Sequence, residues 1–213
     1  MQISHTVATK IAEYLLQIKA IKLQPNEPFT WASGLKSPIY SDNRLSLSHP
    51  EIRTFIKNAL AASVKENFPE SQAIVGVATA GIAPGVLVAD LLELPFGYVR
   101  AEAKKHGMGK QVEGDISPAQ SLVVIEDLVS TGKSSLQAID VLRDYGSQVL
   151  GLACIFTYGL ERAIRNFEDA QVPFVSLCNY DILIQVALQK GYVNDADMDV
   201  LKAWRKNPET WNI

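Results

Sequence analysis

The sequence predicts an α/β protein built as a mostly parallel sheet with helices on both faces. Short apolar runs at Ala73 to Val77, Phe96 to Arg100, Leu122 to Glu126, Val149 to Phe156 and Phe174 to Leu177 recur along the chain, with helical patterns between them. Strand, helix, strand repetition favours parallel pairing, because each crossover returns the chain to the same end of the sheet. The composition agrees: 47% of the 213 residues are apolar, which supports a complete core and excludes a disordered or fibrous chain.

The elements follow in order. Val7, Ile11, Leu15 and Ile18 recur at helical spacing, so residues 4–20 are expected to form an amphipathic first helix. A polar, aromatic loop comes next. Ser48-His49-Pro50-Glu51 has the form of a capping box with proline in the first turn, and Ile52, Phe55, Ile56, Ala59, Leu60 and Val64 mark one face of the helix behind it. The uncharged stretch from Ser71 to Ala89 nominally approaches the length of a membrane span. Gly76, Gly81, Pro84 and Gly85 break it into a strand, a turn and a helix start. A helical pattern from Ser134 to Tyr145 stops at Gly146, and Asp181 to Trp211 reads as two closing helices with Gly191 to Asn194 as their turn. No repeat, low-complexity tract or linker interrupts the chain, so 1–213 is expected to be a single domain.

The net charge of −3 lacks the basic excess of a protein wrapped on nucleic acid or anionic lipid, so neither partner is expected. Cys154 and Cys178 lie in apolar runs and read as small buried hydrophobes, not as a disulfide or metal framework. The N-terminus shows no basic patch followed by an apolar stretch, and a cytoplasmic location is expected.

Four segments carry chemistry. In Leu122 to Ser135 a buried strand ends in Glu126 and Asp127, then passes through Ser130, Thr131 and Gly132 into a helix. Ligands of parallel sheets bind beyond the carboxyl ends of the strands, where the free N–H groups of a starting helix attract an anion. Two adjacent acids suit hydroxyls, or a magnesium ion carrying a polyphosphate; a ribose phosphate has both. The same residues also read as solvated loop acids beside an ordinary helix cap. Gly132-Lys133-Ser134 matches the end of a P-loop, but Asp127 stands where the P-loop needs its first glycine. Gly107-Met108-Gly109 lacks the third glycine of a dinucleotide fingerprint.

Arg100, Lys104, Lys105 and Lys110 against Glu102 leave +3 between residues 100 and 110, in a chain of net −3. With Gly107, Gly109 and Gly114 this segment suits a loop that closes over a polyanion, or else a solvated hairpin. Phe29 to Arg44 combines aromatic and hydrogen-bonding groups that suit a planar polar ring, or a hairpin whose Trp31 and Tyr40 cover the core edge. Val77 to Gly85 is another strand end running into a helix, and so a second anion nest.

Together these segments resemble the type I phosphoribosyltransferases, and among them the free-standing bacterial orotate enzymes. Val123-Val-Ile-Glu-Asp-Leu-Val-Ser-Thr-Gly132 resembles the family's phosphoribosyl pyrophosphate signature, Arg100 to Gly114 its catalytic loop, and Phe29-Thr-Trp-Ala-Ser-Gly-Leu-Lys-Ser-Pro38 the hood segment of the orotate type. The resemblance implies a type I phosphoribosyltransferase fold with a hood at about 1–45, a core at about 46–178 and closing helices at about 180–211. It implies that Glu126 and Asp127 hold the ribose hydroxyls, that Leu128, Val129, Ser130, Thr131, Gly132, Lys133 and Ser134 bind the 5′-phosphate, and that Ser130 and Lys36 meet orotate. Arg100, Lys104 and His106 would serve the pyrophosphate as the catalytic groups. The implied reaction is orotate plus phosphoribosyl pyrophosphate giving orotidine 5′-monophosphate and pyrophosphate, a step of pyrimidine (UMP) biosynthesis. Mg2+ is the implied cofactor, with no metal site made by the protein alone, and the implied assembly is a homodimer with shared active sites. Many members carry a basic residue where Ala32, Ala80 and Ala101 stand. The alternatives are a type I enzyme for another base and a non-catalytic ligand sensor on the same fold.

Overall fold

The computed structural model describes residues 4–31, 34–102, 111–117 and 120–211. The chain opens with helix α1 (His5–Gln17), which buries Ile11, Ala12 and Leu15. It is shorter than its periodicity suggests, because Lys19 takes a left-handed φ of 57° and turns the chain into strand β1 (Ile21–Leu23). The aromatic segment then folds into two small antiparallel pairs: β2 (Phe29–Thr30) with β3 (Lys36–Ser37), and β1 with β4 (Ile39–Ser41). A short 3-10 helix (Asn43–Ser48) leads to α2 (Pro50–Asn67).

The expected capping box is absent there. The 3-10 helix takes up Ser48, His49 becomes the N-cap without a side-chain bond, and the Glu51 carboxylate instead accepts from the Tyr14 hydroxyl at 3.4 Å. Proline at the first helical position is as expected.

The main sheet contains β5 (Ala73–Val77), β6 (Phe96–Val99), β7 (Val112–Glu113), β8 (Ser121–Val129), β9 (Gln148–Thr157) and β10 (Phe174–Asn179) in the order β10-β9-β8-β5-β6-β7. All neighbours are parallel except β6 and β7. Helices α3 (Ile82–Leu92), α4 (Lys133–Asp144), α5 (Glu161–Asp169), α6 (Tyr180–Gln189) and α7 (Asp195–Lys206) complete the layers. Alternation along β8 divides the core: Val123 and Ile125 pack with α1, α2, α3, α6 and α7, while Leu122 and Val124 pack with α4 and α5. Among the described residues no helix is long and apolar enough to cross a membrane.

The functional geometry begins with a difference in strand length. The β5–β8 ladder ends at Gly76 and Ile125, whereas β8 stays paired to β9 as far as Val129 and Thr157. The strand therefore runs past the two acids that the sequence places at its end. Glu126 to Val129 keep a neighbour on one side and leave the other open, at the point where the strand order reverses between β5 and β8. Gly81 makes this junction close: a β-carbon there would stand 2.4 Å from the Ile125 carbonyl oxygen.

At the C-terminal end Asn194 and Asp197 form a reciprocal capping box at 3.0 Å each way, and the free oxygen of Asp197 accepts from Asn26 Nδ2 at 3.2 Å. Asn194→Ala should lower stability by about 1 kcal/mol, seen as a lower denaturant midpoint at unchanged slope. The helix itself should persist, because the fully buried Leu201 and Trp204 hold it against the core. An unchanged midpoint would show that the cap adds nothing.

Candidate active site

An open cleft of about 490 Å3 lies over the carboxyl ends of β5 and β8. One wall is Val77 to Ala80, with a cis peptide between Ala78 and Thr79; the other is Glu126, Asp127 and Leu128 followed by Ser130 to Ser135. After Val129 the chain turns through Ser130, Thr131 and Gly132 into α4, whose N-cap Gly132 has φ 78° and no side-chain cap. The first N–H groups of this helix thus remain for an anion, favoured by the helix dipole.

This turn is braced from below. Asn166 Nδ2 donates to the Thr131 carbonyl at 2.9 Å, and Thr157 Oγ1 and the Tyr158 amide donate to the Val129 carbonyl at 3.0 and 3.3 Å. The Phe167 ring fills the space beneath Gly132, where a β-carbon would meet it at 2.5 Å.

The acids are held differently. Glu126 is buried; its carboxyl accepts from the Asp127 amide at 3.0 Å and from Ser135 Oγ at 3.3 Å. Asn43 Nδ2 donates to the Asp127 carbonyl oxygen at 2.8 Å, which ties the hood to the cleft. Burial, and then the charge of Asp127, push Glu126 up to about 9, and burial also raises Asp127. The two carboxyls therefore titrate as one pair, which holds a proton more readily than two exposed acids would. Arg44, clamped to Asp42 at 2.6 and 3.0 Å, pulls Asp127 the other way, though burial outweighs it. Such a pair suits ligand hydroxyls, which can donate to its ionised oxygens and accept from its protonated one.

A second cavity of about 350 Å3 adjoins the first, sharing Val77, Ala78, Ser134 and Gln137. Arg100 and Gln111 line its far side and pair through their backbones at 2.9 Å, while the Arg100 guanidinium stands 3.6 Å from Glu113. These two residues are the roots of the cationic loop.

Of the residues singled out from the sequence, Glu126, Asp127, Leu128, Ser130, Thr131, Gly132, Lys133 and Ser134 come together on the first cleft, and Arg100 on the second. Val129 turns its side chain into the core, and only its carbonyl takes part in the bracing. Lys36 lines neither cavity; exposed on β3, it donates to Thr30 Oγ1 at 2.8 Å. Ala80 lines the first cavity and Ala101 the second, whereas Ala32, Lys104 and His106 lie outside the described residues. Sequence reasoning did not single out Asn43, Gln137 or Tyr158. Tyr158 lies two residues beyond the apolar run Val149 to Phe156, with Thr157 between them.

The model of the phosphoribosyl transferase domain family matches residues 47–189. The chain is similar to an orotate phosphoribosyltransferase of Listeria innocua, 54% identical over 97% of this chain and 99% of that one. It is similar to another of Porphyromonas gingivalis, 52% identical over 98% and 99%. Among solved structures, an orotate phosphoribosyltransferase from Aeropyrum pernix superposes with a TM-score of 0.74 at 30% identity, covering 86% of this chain and 99% of that one.

Proposed function

As the chain belongs to the phosphoribosyltransferase family, and within it to the orotate phosphoribosyltransferases, we propose that its cleft moves the 5-phosphoribosyl group from phosphoribosyl pyrophosphate to orotate. The products are orotidine 5′-monophosphate and pyrophosphate, which places the reaction in pyrimidine biosynthesis. The observation that carries the reading is the joining of a braced anion turn to two buried acids at the β5–β8 reversal point. A ribose 5-phosphate matches this order, with the phosphate on the α4 N-terminus and the ring hydroxyls on Asp127 and Glu126.

Departure of pyrophosphate leaves positive charge at the anomeric carbon and negative charge on the leaving group, so the protein's task is positioning and charge stabilisation. Arg100 faces the cavity next to the anomeric position, and Lys104 and His106 extend the same cationic segment. An imidazole, with an ordinary pKa of about 6.5, suits His106 to protonate the departing pyrophosphate. The oxygen donors of the cleft fit Mg2+ as a companion of the polyphosphate. Among the described residues no group of three or more acids, histidines or cysteines could cage a metal, so Asp127 and Glu126 would offer one side only. When bound, the ion neutralises pyrophosphate charge.

The hood, core and closing helices work as one cytoplasmic domain that pairs as a homodimer, each loop serving the partner's site. Helix α3 supports the pairing: Val86 and Leu91 on its outer face remain 44% and 41% exposed, with Asp90 as its one charged residue. Pyrophosphate release with orotate should greatly exceed release with adenine, hypoxanthine or uracil, and should depend on added magnesium. Equal turnover of a purine base would overturn the assigned substrate.

A further inference from the structure

Past Ile125, strand β8 is paired with β9 alone among the described residues, so the peptide groups on its open side need partners from outside the sheet. Asp127 finds one in the hood. Its carbonyl accepts from Asn43 Nδ2 at 2.8 Å, while its amide donates to the Glu126 carboxyl at 3.0 Å, so side chains hold both polar groups of its backbone.

Asn43 is itself held in one orientation. It is 2% exposed and opens the 3-10 helix directly behind β4. The Ser46 hydroxyl donates to the Asn43 carbonyl at 2.6 Å, and the neighbouring Asp42 amide donates to the Ala20 carbonyl at 2.7 Å, so the backbone is fixed on either side. The Ser41 hydroxyl donates to Oδ1 at 3.3 Å, which leaves Nδ2 for Asp127. Asn43 and Asp127 also line one small cavity with Ala80 from the opposite wall of the cleft, so the tie is made beside the substrate space.

We propose that Asn43 is a positioning residue: standing where a neighbouring strand would otherwise be, it fixes the Asp127 peptide and thereby the direction in which the Asp127 carboxylate meets the ribose hydroxyls. This rests on the function proposed above. The same bond joins the aromatic segment that suits a planar ring to the acid that holds the sugar. An asparagine that only satisfied its own loop would have no influence on which ligand is bound.

Asn43→Asp tests the tie with little change of volume, because it exchanges the donating nitrogen for an oxygen that meets the Asp127 carbonyl as acceptor to acceptor. Ribose 5-phosphate and inorganic phosphate are the probes, since the first uses the acids and the phosphate turn and the second only the turn. Affinity for ribose 5-phosphate, measured by equilibrium titration, should fall about tenfold while that for phosphate stays within about twofold. In an Asp127→Asn background the same substitution should cost less than about twofold, because both changes act through one carboxylate. Equal losses for the two probes, no loss for either, or an undiminished loss in the Asp127→Asn background would show a structural role and overturn the proposal. If Asn43→Asp does not fold, Ser41→Ala takes its place: removing the hydroxyl that orients the amide should weaken ribose 5-phosphate about threefold and spare phosphate, and equal or absent losses overturn the positioning role. A parent protein that binds neither probe overturns instead the function on which the proposal rests.

Discussion

Lys104→Ala is expected to lower the turnover number by about 10² or more while leaving the fold intact, because a cation that meets charge developing on pyrophosphate stabilises the transition state more than the ground state. The fold should be spared because the segment is polar and its roots are already fixed by the Arg100–Gln111 and Val99–Val112 pairing. Single-turnover rates together with a melting curve separate the two effects. If the loop serves the partner's site, mixing Lys104→Ala and Asp127→Ala subunits should restore activity. Random exchange makes about half of the dimers mixed, and each of these holds one site with both residues intact. Mixing that achieves exchange yet recovers no activity would show that the loop serves its own subunit.

Gly132→Ala should be nearly as damaging, by another route. Alanine at φ 78° costs about 1 kcal/mol, and its β-carbon would stand 2.5 Å from the Phe167 ring. That ring cannot retreat, since it is 2% exposed and stacked on Phe174 at 4.5 Å. The turn must give way instead, and with it the N–H groups proposed to bind the 5′-phosphate. The affinity for phosphoribosyl pyrophosphate should fall by about 10- to 100-fold, an energy of about 1.4 to 2.7 kcal/mol, with a smaller loss of melting temperature. Equilibrium binding of that substrate measures it, and unchanged affinity would mean that the turn does not bind phosphate.

The parallel sheet was legible because its strands are buried on both faces and so appear as unbroken apolar runs. Ala73–Val77 is recovered to the residue. The length of β8 was not legible: Glu126 and Asp127 look like a strand end, and only pairing to β9, a neighbour distant in sequence, carries the strand on to Val129. Likewise Ser48 and Glu51 have the right spacing for a cap, but a preceding 3-10 turn, which no local pattern announces, removes Ser48 from that role. The turn into α4 was readable from small residues in a row. The surroundings of Tyr158 were not, because Trp31 and Trp204 reach its ring from two remote parts of the chain.

The antiparallel β7 has a meaning for self-association as well as for chemistry. A parallel sheet ending at β6 would offer an open row of backbone donors and acceptors to any passing strand. The two residues Val112 and Glu113 occupy that row, are too short to act as a template, and place a carboxylate on it. This guard strand is the returning limb of the cationic loop. Trimming the loop to remove its charges would therefore also uncover the sheet edge and invite aggregation, so the segment should tolerate point substitution far better than deletion.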